Sequence, residues 1–84
     1  MARSKQTNHE IRQRVARRVR QARLSKGWSQ EQLAEALGVS VETVSRYEGG
    51  KLALSVEMLD RAAGVCGVTV GALVSEDPVG LDPD

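Results

Sequence analysis

Five residues in a short stretch of this chain offer side chains suited to reversible recognition. They are Val41, Glu42, Thr43, Ser45 and Arg46, interleaved with the apolar Val39, Val44 and Tyr47. Arg46 can donate a pair of hydrogen bonds, Glu42 can accept, Thr43 and Ser45 can do either, and Val41 offers an apolar contact. Such short or flexible groups can reach base edges or phosphates. Covalent catalysis is poorly served. His9 is the single histidine and Cys66 the single cysteine, so neither a His-based triad nor a multi-thiolate metal site can be assembled. There is no phosphate loop and no paired nucleophile and base. An enzyme is therefore not expected, nor a metal or cofactor. The lone Cys66 excludes an internal disulfide and fits a cytosolic location.

The elements that would position these side chains are helices. Ser29 can cap one, with Gln32 three residues on to complete a capping box. Trp28 before that cap and Leu33 after it make a hydrophobic staple. Ser40 with Val39 and Val44, Ser55 with Leu54 and Leu59, and Thr69 with Val68 and Leu73 repeat the pattern. Thr7 and Glu10 make a capping box for an earlier helix, about Asn8 to Lys26. Glycines mark the exits: Gly27, Gly38, Gly49-Gly50 and Gly67. The last helix is expected to run until Asp77-Pro78 stops it. The pattern predicts five helices and no strand.

The first helix should bury Ile11, Val15, Val19 and Ala22, which recur at three- and four-residue spacing. The fourth should bury Val56, Leu59, Ala62 or Ala63, and Cys66. Gly64 inside it costs roughly 1 kcal/mol relative to Ala; a close helix contact could explain it, but the sequence does not show one. With no Phe and only Trp28 and Tyr47 as aromatics, the core must be aliphatic and thin. A chain of 84 residues is one small domain that buries only about 60% of its unfolded surface, and oligomerisation commonly makes up the difference. No apolar run spans a membrane, and no signal peptide is recognisable.

The net charge of +1 conceals an asymmetry: +8 over residues 1–26, −2 over 27–54 and −5 over 55–84. The basic end favours an anionic partner. Arg12, Arg14, Arg17, Arg18 and Arg20 either track phosphates or form a solvated helix face. Residues 1–6 are expected to be a basic flexible arm, residues 7–77 the folded domain and residues 78–84 an acidic tail.

Leu33-Ala34, Leu37-Gly38-Val39-Ser40 and Thr43-Val44-Ser45-Arg46-Tyr47-Glu48 together read as a helix, a tight turn and a second helix. With the Arg23, Gly27-Trp28-Ser29-Gln30 entry, Gly50-Lys51, and the later Ser55, Leu59 and Ala62, the chain resembles the Cro/repressor-type, or XRE-family, helix-turn-helix regulators over about residues 15–75. The resemblance implies an all-α, five-helix, lambda-repressor-like domain that binds a double-stranded, palindromic DNA operator as a homodimer and regulates transcription, as a repressor. It further implies that Val41, Glu42 and Arg46 face bases, that Ser40, Thr43 and Ser45 meet a phosphate or base, that Gln30 and its backbone N–H hold a phosphate, and that Lys51 meets the backbone. Arg23 is implied to pair with Glu48. The family often has Pro where Leu54 stands, and longer polar or basic residues where Val41 and Glu42 stand. Specificity is therefore expected to lean on Arg46, whose best partner is guanine. Val65, Val70, Leu73, Val74, Val79 and Leu81 exceed what a short C-terminal segment needs and are the candidate dimer patch. A protein-interaction module, such as an antitoxin whose acidic tail binds a protein partner, is the alternative.

Overall fold

In a computed structural model, which describes residues 7–76, the chain forms five helices: α1 Asn8–Ser25, α2 Gln30–Leu37, α3 Val41–Glu48, α4 Val56–Cys66 and α5 Val70–Val74. The flanking residues 1–6 and 77–84, with the expected arm and tail, lie outside the described residues.

Each helix begins with a side-chain cap. Thr7, Ser29, Ser40, Ser55 and Thr69 accept from the backbone N–H three residues on, and Thr7–Glu10 and Ser29–Gln32 complete reciprocal boxes. A cap of this kind stabilises a helix by about 1 kcal/mol. For the eight-residue α2 and α3 and the five-residue α5 this matters, because helices so short are marginal alone. The staples then carry the caps inward: Leu33, Val44 and Leu73 are core residues, while Trp28, Val39, Leu54, Leu59 and Val68 pack against the core.

That core is aliphatic. Leu33, Leu37, Val44, Val19 and Leu73 are its largest fully buried side chains, joined by Ala22, Ala34, Ala62 and Ala63. Alanines at these positions let α1, α2 and α4 approach closely. Both Ala62 and Ala63 are buried, so α4 presents two adjacent small residues inward.

Several expectations fail, each for a local reason. Val56 is 78% exposed, because it opens the first turn of α4 on the side facing away from the core. A Cβ on Gly64 would meet nothing within 4 Å, so no close helix contact explains that glycine. The fifth helix ends at Val74 rather than at Asp77-Pro78. Ser75 is already extended, with ψ 151°, and its N–H and hydroxyl both turn back to the Gly71 carbonyl. After that early exit, α5 does not reach over the first turns of α1, and Ile11 is 39% exposed although its spacing points inward.

Two arginines of α1 complete the end of α5. Arg14 Nη2 donates to the Val74 carbonyl at 2.9 Å and Arg18 Nη1 to the Ala72 carbonyl at 3.0 Å. With Ser75, they satisfy carbonyls that a helix C-terminus leaves open, and their charge suits its negative end.

Candidate nucleic-acid interface

The left-handed Gly38, φ 75°, turns the chain from α2 into α3, and the Val39 N–H closes the turn on the Ala34 carbonyl at 3.0 Å. A residue with a Cβ would cost about 1–2 kcal/mol in that conformation. Val44 and Tyr47 bury one side of α3, fixing its rotation. Its other side is thereby turned outward: Glu42, Ser45 and Arg46 are exposed, Val41 is 38% exposed, and Thr43 is half-buried. No described residue takes a hydrogen bond from Arg46. A guanidinium projecting from a rigid helix with all its donors available is suited to a planar two-acceptor partner.

Ser40 and Thr43 have structural duties first. The Ser40 hydroxyl accepts from the Thr43 N–H at 3.1 Å, and the two hydroxyls lie 2.9 Å apart. Of their two O–H protons, one serves that contact and one is left to give outward. Lys51 is exposed just past the end of α3, its own N–H tied to the Arg46 carbonyl at 2.9 Å.

Beneath this surface lies a buried ion pair. Arg23 Nε donates to Glu48 Oε2 at 2.7 Å and Arg23 Nη2 to Glu48 Oε1 at 2.9 Å; the side chains are 8% and 3% exposed. Arg23 Nη1 donates to the Trp28 carbonyl at 2.8 Å, and Gln30 Nε2 to Glu48 Oε1 at 3.0 Å. The end of α1, the entry to α2 and the end of α3 thus meet on one carboxylate. The hydrogen bonds from Arg23 to Glu48 hold the guanidinium above its ordinary pKa, outweighing the effect of burial. Gln30 reaches this network while opening α2. Its side chain keeps one N–H and its carbonyl oxygen, and its backbone N–H sits in the first turn of the helix, where anions are favoured.

The structure therefore brings Gln30, Ser40, Val41, Glu42, Thr43, Ser45, Arg46 and Lys51 onto α2, α3 and the segment that follows. The dimer candidates divide. Leu73 is 2% exposed and belongs to the core, which removes it from any surface patch. Its staple to Val68 carries it inward. Val65, Val70 and Val74 are half-buried against the core, and Val79 and Leu81 lie outside the described residues.

Some contacts were not anticipated. Arg14 and Arg18 hold α5, and their four-residue spacing, which puts them on one helix face, was the available signal. Gln13 Nε2 reaches the Gly49 carbonyl at 3.5 Å, over the left-handed Gly50. Arg61 Nη1 lies 3.4 Å from the Leu37 carbonyl at the end of α2, and Lys26 lies 5.0 Å from the Trp28 ring centroid. Among the described residues no group of three or more acidic, Cys or His side chains could hold a metal, and no helix is long and apolar enough to cross a membrane.

Comparison with known proteins agrees with this geometry. A family model described as helix-turn-helix matches residues 19–73. The chain is 30% identical over 67 residues to the prophage-derived HTH-type transcriptional regulator YonR of Bacillus subtilis, aligning over 80% of its own length and spanning 62% of that relative. Its structure is similar to a hypothetical transcription factor, NHTF, from Neisseria, with a TM-score of 0.75 and 27% identity over 89% of this chain and 86% of that one. It is also similar to the biofilm master regulator SinR, solved in complex with DNA, with a TM-score of 0.68 and 31% identity over 73% of this chain and 98% of that one. With the turn at Gly38, the exposed face of α3 and a family match over most of its length, the chain belongs to the XRE-family helix-turn-helix transcriptional regulators.

Proposed function

We propose that the protein, encoded by a bacterium or a phage, binds a palindromic double-stranded DNA operator as a homodimer in the cytoplasm and represses transcription there. The observation that carries this is the exposed face of α3. Val44 and Tyr47 anchor the helix, while Val41, Glu42, Ser45 and Arg46 stand outward with Arg46 uncommitted. The solved DNA complex of the similar SinR supports it.

In this reading α3 enters the major groove. Arg46 donates to the two acceptors of a guanine, Val41 touches a thymine methyl, and Glu42 accepts from a cytosine amino group while disfavouring closer phosphates. Gln30 and the first N–H of α2 take a phosphate, with Glu48 setting the amide's orientation. Ser40, Thr43, Ser45 and Lys51 meet the backbone or base edges. Two copies place their α3 helices in successive major grooves about 34 Å apart. A half-buried Val65, Val70 and Val74 surface is where the copies would meet.

Selection of bound sites from random duplex DNA tests this. The expected result is an inverted repeat with guanine at a fixed position in each half-site, bound by two chains. Retention of no preferred sequence would overturn the proposal. Affinity should fall with salt on a log–log slope of about −0.9 per phosphate neutralised.

A further inference from the structure

Residues from the start of α1, the segment joining α3 to α4, α4 and the end of α5 enclose a groove of about 300 Å³. Ile11, Val15, Leu54, Leu59 and Val74 make it mainly apolar. Its polar edge is one row of α1. Asn8 and Arg12 stand four residues apart, so they share a helix face beside the row of Ile11 and Val15. Among the described residues, Arg12 is the one charged side chain of the lining, and no acidic side chain lines the groove.

The Arg12 guanidinium is uncommitted. No described residue takes a hydrogen bond from it, and its Nε is buried besides. A buried donor on a cationic group costs free energy until an acceptor reaches it. Arg14, Arg18 and Arg23 on the same helix differ, since each is bonded to a carbonyl or a carboxylate. The Asn8 side chain also has no hydrogen-bond partner among the described residues.

This combination fits an anion with an apolar body. A guanidinium presents a planar fork that matches a carboxylate, and Asn8 adds a neutral donor beside it. One cation in an otherwise apolar lining suits a single negative charge. The volume lies at the lower bound for small-molecule sites, about 300–1,000 Å³. The eight lining residues fall short of the roughly 20–30 per side of a stable protein interface.

We propose that this groove binds a small apolar monocarboxylate, its carboxylate on Arg12 and Asn8 and its hydrocarbon body against Ile11, Val15, Leu54 and Leu59. No residue of α3 lines the groove, so the site stands independently of what α3 binds. An occupant there ties α5 and the α3–α4 segment to α1.

Sodium octanoate is the probe, and octanol, with the same chain length and no charge, is its control. Ile11 is the single isoleucine of the sequence, so its δ1 methyl gives one unambiguous NMR signal in the full chain. Octanoate should move that signal saturably while leaving the amide signals of α3 in place. Octanol should bind roughly 10- to 100-fold more weakly, the loss expected for a hydrogen bond to a charged group. Arg12→Met keeps an apolar stem and removes the charge. It should weaken octanoate by a similar factor and leave octanol unchanged. Equal affinity of the parent for the two probes overturns the proposal, and that comparison needs no variant. So does a response to octanoate that never saturates or spreads evenly over the surface, and so does full octanoate affinity in Arg12→Met.

Discussion

The two ends of α1 are both arginine-rich but are held by opposite logic. At its C-terminal end, Arg23 is buried and every contact it makes is to α2, α3 or the turn between α1 and α2: Glu48 twice and the Trp28 carbonyl. Further toward its N-terminus, Arg14 and Arg18 reach to carbonyls of α5. The first arrangement locks the unit that presents α3. The second props up a helix of five residues that ends early. Buried, multiply bonded charge is concentrated under α3, while the five-residue helix is held by part-buried and exposed bonds at its end.

The largest test of this difference is removal of Arg23. Arg23→Ala leaves Glu48 buried with only Gln30 as a described partner, and the cost should be about 3–5 kcal/mol. For a domain of this size that approaches the whole stability, so thermal unfolding should show Tm lowered by tens of degrees or no cooperative transition. A Tm within a few degrees of the parent would break the comparison. The pair should lend no pH dependence between pH 7 and 10: a guanidinium whose folded pKa is raised contributes fully below its unfolded value, which lies well above this window, and loses that contribution only above it.

Arg14→Ala should be milder, about 1–2 kcal/mol, because its bond to Val74 lies at a part-exposed helix end. Hydrogen exchange of α5 amides should speed up while that of α3 stays as in the parent. Equal acceleration in both would show that the two ends of α1 are not separately held. Gly50→Ala belongs in the same range. The left-handed φ of 72° is strained for alanine, and the new Cβ would displace the Gln13 amide from the Gly49 carbonyl.

The helix-turn-helix end was the more legible one because its determinants are local. A cap and its target lie three residues apart, a staple spans five, and Gly38 acts at its own φ. These rules name the start of every helix, and the alternation of Val39, Val44 and Tyr47 with polar residues names the outer face of α3. The α5 end depends on contacts across more than 50 residues, Arg14 to Val74 and Arg18 to Ala72, which no local pattern encodes. Ile11 looked buried because spacing gives the face of a helix but not whether a neighbour is long enough to cover it. Val56 misled for a related reason, since a first-turn residue can share a spacing with the core and still point past it.

The smallest effect comes from Gly64. A Cβ there meets nothing within 4 Å, and the residue lies inside α4. Gly64→Ala should therefore stabilise the fold by about 0.5–1 kcal/mol. Equilibrium denaturation showing destabilisation instead would mean that α4 needs the glycine for something outside the described residues, such as a partner copy.

The central claim is that Arg46 reads a base from a rigid α3 while the side chains around it chiefly position the protein. It is tested most directly by measuring the affinity of the parent and of Arg46→Ala for a selected site and for random duplex DNA at one salt concentration. Loss of a bidentate contact of about 1–3 kcal/mol predicts roughly 5- to 150-fold weaker binding to the selected site with little change on random DNA. Equal losses on both duplexes would contradict it, since Arg46 would then be one more phosphate contact.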